Sequence, residues 1–164
     1  MEPIANRVGK PAPDEAQIIF RKIRSEFMRL IGKYLKGFNF TRSGFIFRRT
    51  VGGDVQMIEF QHAWLMYRLS AGVLFDGFEM NGYSGMRGYP RIDDGVGVGL
   101  SQLVDGYPTA VPYRLEGIDA VERYLSEIII PWLDKASRPE GSVLFLDHVR
   151  VALDEMWASR GSKG

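Results

Sequence analysis

Two histidines, His62 and His148, are the only side chains whose ordinary pKa lies near neutrality, which makes them the first candidates for moving a proton in a reaction. Each competes with a plainer role. His62 closes an alternating segment and His148 flanks an apolar helical stripe, positions where a hydrogen-bonded histidine at the core margin outweighs a catalyst. Neither belongs to an HExxH or His-rich cluster. The chain has no cysteine, which excludes disulfides, thiolate nucleophiles and Cys-ligated zinc. No metal and no cofactor are expected. The run Gly95-Val96-Gly97-Val98-Gly99 imitates a dinucleotide loop, but its third glycine comes one residue early and no βαβ unit follows, so it reads as a glycine-softened strand. The segment Asn81-Gly82-Tyr83-Ser84-Gly85 lacks the glycine that a nucleophile elbow needs two residues after its serine; Met86 stands there instead. Asp93 and Asp94, as strand neighbours, would point to opposite faces and read as turn-initiating acids.

A polar constellation remains with no reaction attached to it. Arg48, Arg68 and Arg114, in or near expected strands, and Tyr83, Arg87 and Arg91 in a glycine-rich insertion could converge over a sheet face that no helix covers. Arginine and tyrosine recognise anions and protein partners through forked hydrogen bonds and rigid aromatic area. The plainer alternative is that each strand arginine lies flat over apolar neighbours with its head in water.

Positioning these residues requires a scaffold, and the periodicities outline one. Residues 1–13, with Pro3, Pro11 and Pro13, read as a mobile arm ahead of a single domain over 14–160. Asp14 and Gln17 form a capping box, and Ala16, Phe20, Ile23, Phe27, Leu30 and Tyr34 recur at helical spacing up to about Lys36, with Gly37 ending the helix. Lys22, Arg29, Lys33 and Lys36 fall on its opposite face. Segments 45–50, 55–62 and 67–75 alternate as strands, with Gly52-Gly53-Asp54 as a turn and 93–100 as a weak fourth strand. The insertion at 76–110 holds eight of the 19 glycines and is the expected rim of any ligand site. Ile118, Val121, Leu125, Ile128 and Trp132 mark a further helix that Pro131 should kink. Ser137-Arg138-Pro139-Glu140 reads as a second capping box, opening a helix with Phe145, Val149, Ala152 and Met156 on its buried stripe and fraying near 159–161. The expected fold class is α+β: an antiparallel three- to four-stranded meander covered on one face by an N-terminal helix and two C-terminal helices.

Composition sets the outer bounds. A chain of 164 residues with 45% hydrophobic and 25% charged residues is that of one globular domain. Its net charge of +1 argues against gripping nucleic acid, and no apolar run approaches the ~20 residues of a membrane span. Met1 to Lys10 lacks the apolar stretch of a secretory leader, so the expected location is cytoplasmic. Charge is unevenly spread: residues 1–50 carry 11 Lys/Arg against 4 Asp/Glu, and residues 51–164 carry 10 against 16. A basic element docking on an acidic one inside the fold explains this ahead of a charged face kept for a partner.

Leu35-Lys36-Gly37-Phe38, then Arg42, Gly44, Phe47 and Arg49, then Val55-Gln56-Met57-Ile58-Glu59-Phe60-Gln61, the strand ending Ala71-Gly72-Val73, and Ile130-Pro131-Trp132-Leu133 together resemble the bacterial domain of unknown function 4304 family. The resemblance spans about residues 17–150 and implies a small cytoplasmic bacterial α+β domain. It supplies no activity and no catalytic residue. The expected function is non-enzymatic protein interaction, immunity-like by analogy of size and class, with a homodimer left open. The alternatives are a small anion or nucleotide held by Arg68 and Arg114 over the open sheet face, and an enzyme using His62 with a nearby carboxylate.

Overall fold

The computed structural model describes residues 14–63, 65–78, 92 and 95–162. The expected arm, Ser84, Asp93-Asp94 and three expected site residues, Tyr83, Arg87 and Arg91, lie outside the described residues.

Helix α1 (Glu15–Lys36) begins at the expected capping box: Asp14 Oδ1 accepts from the Gln17 amide at 2.7 Å, and Gln17 Oε1 accepts from the Asp14 amide at 3.3 Å. It ends at Lys36 with Gly37 as its C-cap, as expected, but the left-handed turn that closes it comes two residues later. Gly37 keeps right-handed angles, and the left-handed residue is Asn39, at φ 70°. The Phe40 amide donates to the Leu35 carbonyl at 3.2 Å and the Asn39 amide to that of Lys36 at 3.1 Å, a Schellman closure in which Leu35 and Phe40 are both buried. The buried stripe is also turned relative to the spacing argument. Phe27, Met28, Ile31 and Leu35 are buried, whereas Ala16 is exposed and Leu30 and Tyr34 are half-buried. A broad apolar stripe leaves its own centre undetermined, and contact with the sheet chooses it. Lys22, Arg29, Lys33 and Lys36 are exposed, as their face requires.

The sheet runs β1 (Thr41–Ser43), β2 (Ile46–Val51), β3 (Asp54–Ala63), β4 (Met66–Leu74) and β5 (Val96–Gly99), each antiparallel to the one before. A sixth strand, β6 (Val111–Pro112), pairs with β4 at Met66 and Tyr67. The meander is the expected one, extended by two short strands. Gly52 and Gly53, at φ 60° and 98°, supply the backbone that the β2–β3 turn demands. One face carries Phe47, Ile58, Phe60, Tyr67, Leu69, Ala71 and Val73, all buried under the helices. The other face carries Ile46, Arg48, Met57, Glu59, Gln61, Arg68 and Ser70. On that second face Gly72 stands opposite Gly97, and a Cβ on Gly97 would lie 2.7 Å from Ile92 and 2.8 Å from the Ala71 carbonyl. Gly97 of β5 and Gly72 of β4 therefore make room for Ile92.

The C-terminal part adds α2 (Leu100–Leu103), α3 (Ile118–Tyr124), a π-helical turn (Leu125–Ile129), α4 (Ile130–Ala136), a 3-10 turn (Pro139–Leu144) and α5 (Asp147–Ser162). The Ile130 amide reaches back five residues to the Leu125 carbonyl. This widened turn just ahead of Pro131 accommodates a residue that has no amide proton to donate and whose ring crowds the preceding turn. The extra residue moves the stripe, so Ile129 is buried and the expected Ile128 is only half-buried. Ser137 is not a helix start. It ends α4, and its hydroxyl donates to the Leu133 carbonyl at 2.7 Å, so no capping box forms and α5 opens at Asp147. Phe145 consequently precedes α5, Leu153 is that helix's buried residue, and α5 continues through the expected fraying point to Ser162.

Two polar clasps fasten the helices to the sheet. Arg49 donates to Gln56, the Phe38 carbonyl and Asp134 at 2.7, 2.9 and 2.9 Å, while buried Gln56 donates to Ser137 at 2.8 Å. The Arg49–Asp134 pair joins the basic opening stretch to the acidic remainder. At the far end Arg160 of α5 grips buried Asp54 with two bonds of 2.9 and 3.0 Å, and Asp54 also accepts the Asp76 amide at 2.8 Å. Removing a buried, doubly bonded carboxylate strands a guanidinium and an amide, so Asp54→Ala should lower unfolding stability in urea by about 2–4 kcal/mol. Asp147→Ala, which breaks an exposed pair with Arg150, should cost less than about 0.5 kcal/mol.

Candidate functional site

Two hollows open side by side at the end of the sheet where β3 finishes and β4 starts. The first, about 320 Å³, is lined by Gln61, Arg68, Ser70, Gly99, Ser101 and Thr109, with Leu69, Tyr107 and Pro108. The second, about 350 Å³, is lined by Ser43, Gly44, Phe45, Ile46, Glu59, Gln61 and His62, with Phe60. Strand alternation explains the lining. Gln61 lies directly opposite Arg68 and Glu59 opposite Ser70, so these four side chains leave the sheet on the face away from the helices. Strand β5 places Gly99 beside Ser70, and the chain leaving β5 brings Ser101 and Thr109 to the rim.

The first hollow combines one full positive charge with neutral groups that both donate and accept. Arg68 is exposed and forms no ion pair or hydrogen bond among the described residues. The side chains of Gln61, Ser70, Ser101 and Thr109 are likewise uncommitted to any intramolecular hydrogen bond among the described residues. Tyr107 closes one side; its hydroxyl pairs with that of Tyr67, and burial pushes both phenols above the ordinary range. Both remain neutral donors and acceptors at physiological pH.

The second hollow borders an aromatic cluster around His62. Arg24 of α1 donates to His62 Nε2 at 2.9 Å, which requires that nitrogen to be unprotonated and puts the imidazole proton on Nδ1, facing the Tyr113 hydroxyl at 3.5 Å. The imidazole stacks on Phe45 at 5.5 Å and on Phe20 at 6.4 Å, and the Arg24 guanidinium lies 5.4 Å and 5.7 Å from the centres of Phe20 and Phe45. Desolvation first, and the Arg24 charge second, hold the His62 pKa below 6.5. Burial pushes the Tyr113 phenol up to about 12. Both nitrogens of His62 are thus engaged although its side chain is exposed, and no carboxylate hydrogen-bonds to it among the described residues. The arrangement anchors α1 to the sheet end and lacks the acid partner that proton transfer by a His–carboxylate pair would need.

The expected arginines are dispersed by the register. Arg48 sits opposite Met57, four residues along β3 from the Gln61–Arg68 level, and lines neither hollow. Arg114 is exposed just beyond β6 and also lies outside both. Of the three expected arginines that are described, Arg68 alone lines either of these two hollows. His148 is exposed in the first turn of α5, on a different element from His62, and no group of three potential metal ligands exists among the described residues. Among the described residues no helix is long and apolar enough to cross a membrane.

No family model, curated protein or solved structure matches the chain.

The lowered His62 pKa has a signed consequence. Between the folded midpoint and 6.5 the unfolded chain binds more protons than the folded one, so this contribution to stability is complete above 6.5 and is lost as pH falls toward the folded midpoint. NMR titration should give a His62 midpoint below 6.5, and Arg24→Leu should move it upward. A midpoint at or above 6.5 in the wild type would contradict the Arg24 contact.

Proposed function

We propose that this protein binds a small anionic ligand in the hollow at Arg68. The observation that carries the reading is a guanidinium without an intramolecular partner among the described residues, placed in a concave site among amide and hydroxyl groups that are equally uncommitted. A guanidinium is always charged and offers a planar fork that matches carboxylate and phosphate oxygens. Its cross-strand neighbour Gln61 stands about 5 Å away at Cβ, close enough for both to hold one ligand group. Arg68 takes the role expected of the pair Arg68 and Arg114. A cytoplasmic setting is part of the reading, in keeping with a chain that has no cysteine. The resemblance to the domain of unknown function 4304 family rests on the residues quoted for it and lends no activity to this proposal.

A second reading, docking of another protein, is favoured by a different surface. A mostly apolar groove of about 550 Å³ runs between β5 and the α4–α5 region, lined by Val96, Val98, Leu103, Trp132, Phe145 and Val149 among others. Leu146 at its rim is 74% exposed. Among the described residues β5 pairs only with β4, so the occupant that fits is an extended apolar segment of a partner chain, laid against this edge.

Thermal unfolding with inorganic phosphate, sulfate and small carboxylates tests the first reading. A bound anion at ~100 times its dissociation constant should stabilise the fold by about 2.7 kcal/mol. Arg68→Ala should abolish that gain and Arg114→Ala should preserve it. No stabilisation of the wild type by any of these anions at millimolar concentration would remove the proposal.

A further inference from the structure

We infer that the ligand is an elongated, polyhydroxylated anion, a phosphorylated sugar longer than one ring, lying across the strands from the Arg68 hollow into the hollow beside Ser43 and Ile46. The inference rests on the proposed anion site at Arg68 and extends it. Gln61 lines both hollows, so the two are halves of one trough with this carboxamide as the ridge between them. The trough crosses β2, β3, β4 and β5, three inter-strand steps of ~4.8 Å or roughly 14 Å, which exceeds the length of a phosphate or a single pyranose. A group anchored only at Arg68 would leave the Ser43 half unused.

The walls select the chemistry of the ligand body. Beyond Arg68 the first half offers a carboxamide and three hydroxyls, each able to donate and accept, the pattern that sugar hydroxyls satisfy in either sense. The second half adds the apolar edge of Phe45 and Ile46 beside Ser43 and the Glu59 carboxylate, suited to the CH-bearing face and hydroxyls of an uncharged second ring and not to a second anionic group. A nucleobase fits less well. It seeks an aromatic face to stack on, and the Phe45 and His62 rings bordering this half are stacked on each other at an interplanar angle of 10°. Gln61 then acts as the specificity residue: its amide spans the junction and can bond to both rings at once.

Isothermal titration of the full chain with inorganic phosphate, glucose 6-phosphate, trehalose 6-phosphate and AMP tests this. Affinity should rise at least tenfold from phosphate to glucose 6-phosphate and again to trehalose 6-phosphate, with AMP below both sugars. Arg68→Ala should abolish binding of all four. Gln61→Ala should weaken the sugar phosphates more than phosphate itself. Ser43→Trp, which fills the second half from an exposed position and leaves the core untouched, should weaken trehalose 6-phosphate tenfold or more and glucose 6-phosphate less than twofold. Arg68-dependent phosphate binding with no gain for either sugar phosphate would overturn this inference while leaving the anion site in place. Absence of binding by all four probes would overturn both. Tighter binding of AMP than of the sugars would replace the sugar with a nucleotide.

Discussion

Much of this structure depends on one buried carboxamide. Gln56 projects from the middle of the sheet onto the face that the helices cover, where a polar group without partners would cost ~1–3 kcal/mol. Its oxygen is met by Arg49 and its nitrogen by Ser137, with the Leu133 carbonyl at 3.2 Å as a further acceptor. Satisfying it dictates where α4 must end, because Ser137 has to arrive at this spot. The same constraint fixes Asp134 against Arg49 and holds Phe38, just after α1, to β2. A core built only of Phe, Ile and Leu could slide under its helices. The Gln56 node gives the packing a single register, and the Asp54–Arg160 clasp repeats the device for α5.

The elements that were legible in the amino-acid order are those in which local chemistry and tertiary packing agree. The Asp14–Gln17 box, the alternation of Tyr67 to Phe75 and the double-glycine turn each carry their reason within a few residues, and the fold class follows from their order. The departures share a cause. Gly37 caps α1 as expected, but Asn39 takes the left-handed turn that follows, and with it Leu35 and Phe40 are both buried in the core, an arrangement no propensity records. Ser137 has the spacing of an N-cap, but a sheet glutamine some 80 residues earlier claims its hydroxyl. The widened turn before Pro131 answers to both the proline and the sheet beneath it, so simple heptad counting drifts by one residue there.

The candidate site was legible in one residue only. Alternation alone set Arg68 opposite the apolar face of its strand, and that placement holds. Gln61, Ser70, Ser101 and Thr109 carry no pattern, because short polar residues are common on any surface; strand register sets Gln61 and Ser70, and the chain leaving β5 brings Ser101 and Thr109 to them. The contact of Arg24 with His62 was equally hidden, joining residues 38 apart through the docking of a helix on a sheet end. Arg48 and Arg114 drew attention by type, yet residue type says nothing about which level of a strand a side chain occupies.

The spacing of the strands also bears on how the chain reaches this state. The β2–β3 and β3–β4 hairpins close through turns of two residues each, so their pairing is available as soon as local segments collapse. Strand β5 returns to β4 only after about 20 intervening residues, a sequence separation whose closure entropy as a flexible chain is roughly 2.7 kcal/mol. Pairing within the two hairpins therefore costs less chain entropy than the return of β5 to β4. The wall of the Arg68 hollow that Gly99 and Ser101 supply therefore depends on this long-range pairing, whereas Gln61, Arg68 and Ser70 are set by a local hairpin.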